Sequence, residues 1–397
     1  MKRTNILFLI AAAALSMSLC GIFFYSDTRV ATTAPCISEV ITDAEFKRET
    51  ALDYLSLCSL AYDSEEITKE LAARGYGEIE YKEKKQETNY SNGIAFAIGY
   101  KKNEANYVCI AIRGTKAKEW YSNFQIGESA EHAGFSAATD YVMKQTEDYL
   151  REHNIDKSNT IMQITGHSRG GAVANLCAKR MLEKGDFGFV SAYTFACPAT
   201  TTSEDTNNPL YKSIYNIINP EDFICCIPLP DWNYKRYGTD LYLPKKGDEN
   251  YYDLYRSMQD KFFETTQSSH RGYPDGDRDV KRFIEAVSKI SPTVSDYYQK
   301  EISLFPHKIT MYQYMQSAAA FLSNEQNLSD GMILLSSGTS PVFSVLADFI
   351  TQGISLDSME GIDITSSAMG CAHTYETYNA WLEVLPDSYF ENNMQKE

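Results

Sequence analysis

The chain has 397 residues, 43% of them hydrophobic, with 28 tyrosines and 19 phenylalanines; this is ample material for a core and excludes global disorder. Its 53 acidic residues against 37 basic ones leave a net charge of −16, which phosphate-rich surfaces would repel, so nucleic acid and anionic lipid are poor main partners and neutral substrates fit better. The length exceeds a usual single domain, yet α/β folds of this size often form one domain with a large insertion.

Lys2 and Arg3 precede a run without charge, 6–25. This is the pattern of an export signal. About 20 apolar residues are long enough to span a bilayer with the two cations left in the cytoplasm, so 1–25 reads as signal peptide or membrane anchor, with a retained anchor favoured over cleavage. The domain is then expected outside the cytoplasm, tethered through 6–25 or secreted. Cys20 follows the bulky Leu19 and the apolar run continues past it, which speaks against lipid attachment there. Residues 26–45, short on periodicity, read as a tether, and 46–397 as the domain, with an insert at 245–370.

A helix is predicted over 49–62. Two apolar runs, 94–100 and 107–112, flank the turn-like "KKNEAN" and read as a hairpin or two neighbouring strands. Over 135–150, Phe135, Ala138, Tyr141, Val142, Tyr149 and Leu150 share one helical face. A strand at 160–165, a helix from Gly171 closed by Gly185, and strands at 189–195 and 214–218 follow. Strand alternating with helix implies an α/β fold, a mostly parallel sheet with helices on both faces. From 244 to 370, helix-like pieces at 279–289, 309–322 and 342–350 lie between loops and show no repeat, which suggests a helical insert or cap. The last expected helix covers 373–385.

Nine cysteines in an exported chain raise the question of disulfides. Cys109, Cys177 and Cys197 lie inside apolar strand or helix patterns, where small free thiols are common. Cys225 and Cys226 are adjacent and lack metal-ligand spacing, and Cys36 with Cys58 is the pair most easily imagined bridged.

The chemistry centres on Gly166, His167, Ser168, Arg169 and Gly170, a G-x-S-x-G pattern between the strand at 160–165 and the helix from Gly171. At such a strand-to-helix corner the serine takes a strained conformation, and residues two before and two after must lack side chains. Here both are glycine. A serine needs a base that an acid orients. Of the six histidines, His373 near the C-terminus is the natural base, brought by "GCAHTYETYNAWL" from a glycine-containing loop onto a helix start. Asp222, just past the strand at 214–218, is the acid candidate, with Glu221 its immediate competitor. For an oxyanion, the N–H of Arg169 and the N–H and hydroxyl of Thr115, after Gly114, are available donors, although Arg113 to Thr115 reads equally as a plain turn. Neither metal nor cofactor is called for.

Together these residues resemble the class 3 lipase family of α/β-hydrolases. The matching pieces are "AIRGT" with "EWYSNF", "EHAGF", "ITGHSRGGAVANL", "YTFACPA", "INPEDFICCIPL" and "HTYETYNAWL", over about 47–243 and 371–385. The resemblance implies Ser168 as nucleophile, Asp222 as acid, His373 as base, Thr115 and Arg169 as oxyanion donors, and an ester substrate, lipid being favoured, with phospholipase, small-ester esterase and a catalytically silent binding protein as rivals. It also implies a short lid at 116–127 with Trp120 and Phe124 on its apolar face, though core packing would use Trp120 equally well. Two departures stand out. Arg169 replaces the leucine many members carry, a change expected to affect only an outward side chain. About 150 residues separate Asp222 from His373, and within them Met311, Tyr312, Met315, Ala318, Ala319 and Leu322 form a stripe that suits core packing better than an acyl pocket.

Overall fold

The computed structural model describes residues 45–85, 93–116, 119–272, 274, 276–304, 307–322 and 366–394. The leader, the tether as far as residue 44, Cys20, Cys36 and the helix expected at 342–350 lie outside the described residues.

Strands β1 (Gly77–Lys84), β2 (Ile94–Lys102), β3 (Asn106–Ile112), β4 (Thr160–His167), β5 (Phe189–Phe195), β6 (Ile214–Ile218) and β7 (Thr239–Tyr242) form one sheet in sequence order. The β1–β2 and β2–β3 pairings are antiparallel, and every pairing from β3 to β7 is parallel. Alternation along the strands divides the core between two faces. Phe96, Ile98, Val108, Ile110, Met162 and Ile164 face α4 (Ala133–Glu152) and α5 (Arg169–Lys184). Tyr193, Phe195, Tyr215 and Ile217 face α1 (Arg48–Leu60) and helices from the C-terminal part, while Ala97, Cys109 and Ala111 meet α1 and α2 (Ser64–Ala73).

Two strands escaped the apolar pattern. β1 reads GEIEYKEK and is half-exposed at the sheet edge, where charged side chains guard the outer side of an edge strand. β7 has four residues, TDLY, too few for alternation to register. Cys58 is a buried free thiol 2.9 Å from Thr165 Oγ1.

The stretch after β7 departs from a purely helical insert. It contains α6 (Tyr251–Thr266), α7 (Gly276–Ile290), α8 (Val294–Gln299) and α9 (Met311–Leu322), but also an antiparallel hairpin of β8 (Glu301–Leu304) and β9 (His307–Thr310). Pairing with β8 holds 307–310 extended, so the helix expected from 309 begins at Met311. Met311, Met315 and Ala319 are buried with Trp120, Phe124, Trp232 and Tyr297 in one apolar cluster, so these three stripe residues are core. After α10 (Ser366–His373), α11 (Tyr375–Val384) packs on α6, with the Tyr255 and Trp381 rings 5.8 Å apart, and α12 (Asp387–Met394) ends the described chain.

Candidate active site

β4 runs into α5 through a single residue, Ser168, with φ 58° and ψ −131°. That positive φ disfavours any side chain, and it is held by the Ser168 N–H donating to the Phe195 carbonyl at 2.9 Å. The flanking glycines are sterically required. A Cβ on Gly166 would lie 2.1 Å from the Gly170 carbonyl oxygen, and one on Gly170 2.4 Å from that of Ile112. α5 starts at Arg169, two residues earlier than expected, so the Ser168 hydroxyl stands at the mouth of the corner.

Past β6, Asp222 caps the short turn Phe223–Cys226 and is fully buried. Its Oδ1 accepts from the Ile224 N–H at 3.0 Å; its Oδ2 accepts from His373 Nδ1 at 2.8 Å and from the Tyr378 hydroxyl at 2.9 Å. A buried carboxylate so surrounded is satisfied. Because Asp222 can only accept, His373 carries its proton on Nδ1, and Nε2, 2.9 Å from Ser168 Oγ, is left to accept from the hydroxyl. Ser168, His373 and Asp222 therefore form one line of hydrogen bonds. Glu221 points elsewhere: its Oε1 accepts from the Tyr251 hydroxyl at 3.0 Å.

His373 is not borne on a loop. It is the last residue of α10, and Thr374 directly caps α11, because Ser366–His373 already form helical turns ahead of it. The backbone there is pinned twice: His167 Nε2 donates to the His373 carbonyl at 2.8 Å, and Asn219 Nδ2 to that of Ala372 at 2.9 Å. Burial, with the nearby His373 ring adding to it, pushes the His167 pKa down to about 3, so His167 is a neutral donor at physiological pH.

Parallel pairing of β3 with β4 puts Ile112 opposite Gly166, so the loop after β3 emerges beside the corner. A Cβ on Gly114 would come within 3.0 Å of the His167 carbonyl oxygen. A buried bidentate pair, Arg113 Nη1 and Nη2 on Glu119 at 2.9 and 2.8 Å, fastens this loop to α3 (Trp120–Asn123), and the Lys116 N–H donates to the same carboxylate at 2.7 Å. Thr115 is buried next to it and accepts from Asn123 Nδ2 at 2.9 Å.

Arg169 corrects an expectation. Its side chain does not point outward; it is 1% exposed and donates to Asn123 Oδ1 at 2.7 Å and to the Gly93 carbonyl at 3.3 Å. The reason is the helix start at Arg169, which turns its Cβ toward the layer between α3 and α4. Burial lowers its pKa to about 10, which still leaves a cation at neutral pH. Trp120 and Phe124 are also buried, beneath the insert. The Tyr297 hydroxyl donates to the Phe124 carbonyl at 3.0 Å, and the Tyr298 hydroxyl accepts from the Gly127 N–H at 2.9 Å.

Tyr378, Asn219, Asn123 and His132 were not singled out by sequence as partners of these groups. His132 Nδ1 accepts from the Phe135 N–H, so its Nε2 donates to the Asn123 carbonyl at 3.1 Å. All four sit inside the quoted motifs, Tyr378 in "HTYETYNAWL", Asn219 in "INPEDFICCIPL", Asn123 in "EWYSNF" and His132 in "EHAGF", and that membership is the one signal that could have raised them.

Residues 109–232 match the family described as Lipase (class 3). The secreted mono- and diacylglycerol lipase 2 of Gibberella zeae is 25% identical over 127 residues, covering 29% of this chain and 31% of that protein. The chain thus spans about a third of the curated relative's length. Among solved structures, the mono- and diacylglycerol lipase from Aspergillus oryzae is 18% identical with a TM-score of 0.39, over 52% of this chain and 85% of that one. The lipase from Rhizopus microsporus var. chinensis is 18% identical with a TM-score of 0.36, over 54% and 81%.

Proposed function

We propose that this chain, whose residues 109–232 match the class 3 lipase family, is a serine hydrolase of carboxylic esters that acts on acylglycerol-type lipids. The observation that carries the reading is the unbroken line from Ser168 Oγ through His373 to Asp222, at 2.9 and 2.8 Å. Ser168 attacks the acyl carbonyl while His373 Nε2 takes its proton, and Asp222 holds the resulting imidazolium. The tetrahedral oxyanion is met by the N–H of Arg169 and by Thr115. His373 then protonates the departing alcohol; in the second half water gives a proton to His373 and bonds to the acyl carbon, the acyl–Oγ bond breaks, and Ser168 Oγ takes the proton back as the acid leaves. The charge-free run at 6–25 and its basic front support an extracytoplasmic place, anchored or secreted.

A fluorophosphonate probe tests the nucleophile. The folded protein is expected to take up label at one site, and Ser168→Ala to abolish it; an unlabelled parent, or label that survives the substitution, would sink the hydrolase reading in favour of a binding role. Hydrolysis rates across esters of increasing acyl length then test the lipid assignment, which a preference for short soluble esters or for phospholipids would overturn.

A further inference from the structure

We propose that Arg169, acting through Asn123, fixes the direction of the Thr115 hydroxyl so that its hydrogen is reserved for the oxyanion. The inference rests on the reading of Thr115 as an oxyanion donor. A guanidinium has donors and no acceptor, so the atom of Asn123 that faces Arg169 Nη1 at 2.7 Å must be the amide oxygen. The amide nitrogen then faces Thr115 Oγ1 at 2.9 Å. That nitrogen accepts nothing, so Thr115 Oγ1 has to accept, and its own hydrogen is turned away from Asn123.

Asn123 is held at two points, by Arg169 on its side-chain amide and by His132 on its backbone carbonyl. No carboxylate forms an ion pair with Arg169 among the described residues; a buried cation without one is costly, and its strongest bond is spent on the amide. With leucine at 169 the amide is free to flip, and the Thr115 hydroxyl would then donate to Asn123 and be lost to the reaction. Arg169 is a positioning residue by side chain, in addition to the backbone N–H proposed above.

Asn123→Asp is the diagnostic variant, since it keeps shape, gives Arg169 a carboxylate partner, and offers Thr115 only acceptors. Steady-state kinetics on a soluble ester are compared for the parent, Thr115→Val, Asn123→Asp, Arg169→Leu and the Thr115→Val/Asn123→Asp double variant, with melting temperatures as the check on folding. Thr115→Val is expected to lower kcat on the order of 100-fold with KM little changed, the loss that follows removal of one oxyanion donor. Asn123→Asp is expected to match it without a lower melting temperature, and the double variant to be no slower than Thr115→Val alone. Parental kcat in Asn123→Asp overturns the proposal, as does a full second loss in the double variant, which would assign the effect to the added charge. Parental kcat in Thr115→Val overturns the oxyanion reading itself, whereas a slow Thr115→Val beside a fast Asn123→Asp and Arg169→Leu removes Arg169 alone.

Discussion

The Tyr378 hydroxyl joins three parts of the site: it donates to Asp222 Oδ2, accepts from the Asn219 N–H at 3.2 Å, and lies 3.4 Å from Cys225 Sγ. Its ring meets His167 edge-on at 6.1 Å. Hydrogen bonds to charged groups contribute about 1.5–3 kcal/mol, and Tyr378→Phe leaves the ring packing in place. The expected outcome is a kcat reduced roughly tenfold with KM unchanged; an unaltered kcat would show that the Ile224 N–H and His373 suffice to orient Asp222. Ser168, Asp222 and His373 were legible because each sits at a position with a local reason, a glycine-flanked corner, a strand end and a C-terminal motif. Tyr378, Asn123 and the inward Arg169 were not, because their roles come from contacts across 156, 8 and 46 residues that no local pattern encodes.

Among the elements, α3 is the one whose setting departs most from expectation. A four-residue helix that starts at Trp120 and is followed directly by Phe124 suits a hinged cover. Here its apolar side is packed into a cluster with Val287, Ile290, Tyr297, Met311 and Met315 of the insert, and Tyr297, Tyr298 and Gln316 bind the backbone of 121–127. Swinging α3 outward would expose that cluster to water at about 25 cal/mol per Å², besides breaking the hydrogen bonds. Velocity measured against the concentration of a short-chain ester is therefore expected to saturate smoothly through the solubility limit, and a sharp rise at that limit would mean that α3 opens at an interface. The parallel strands were legible as apolar runs because both faces are covered. β1, β7 and the β8–β9 hairpin were not, being edge-charged or only four residues long.

Over the whole molecule, several groups are buried in their neutral form. Burial lowers the pKa of His132 and His167 to about 3 and of His270 to about 4, so each contributes stability above pH 6.5 that is lost as the pH falls toward those values. Glu376 runs the other way: burial raises its pKa from 4.5 to about 7, so its contribution is complete below pH 4.5 and is lost as the pH rises to about 7. Three histidines outweigh one carboxyl, and the unfolding free energy is expected to climb from pH 4 to about 7 and then level off toward pH 8. Urea unfolding of Glu376→Gln beside the parent is the check. The variant should gain on the order of 2–3 kcal/mol over the parent at pH 8 and almost nothing at pH 4; an equal difference at both would place the effect in packing.

The residue next to the proposed acid carries a last consequence. Glu221 is buried, accepts from Tyr251 of α6, and lies against Gly276, where a Cβ would be 3.1 Å from its Cδ, at the start of α7. A protein engineer who excised 245–365 to obtain a minimal enzyme would leave that carboxylate without its clasp, one peptide bond from Asp222. The insert is thus no detachable accessory, and shortened versions should first be judged by whether they remain soluble.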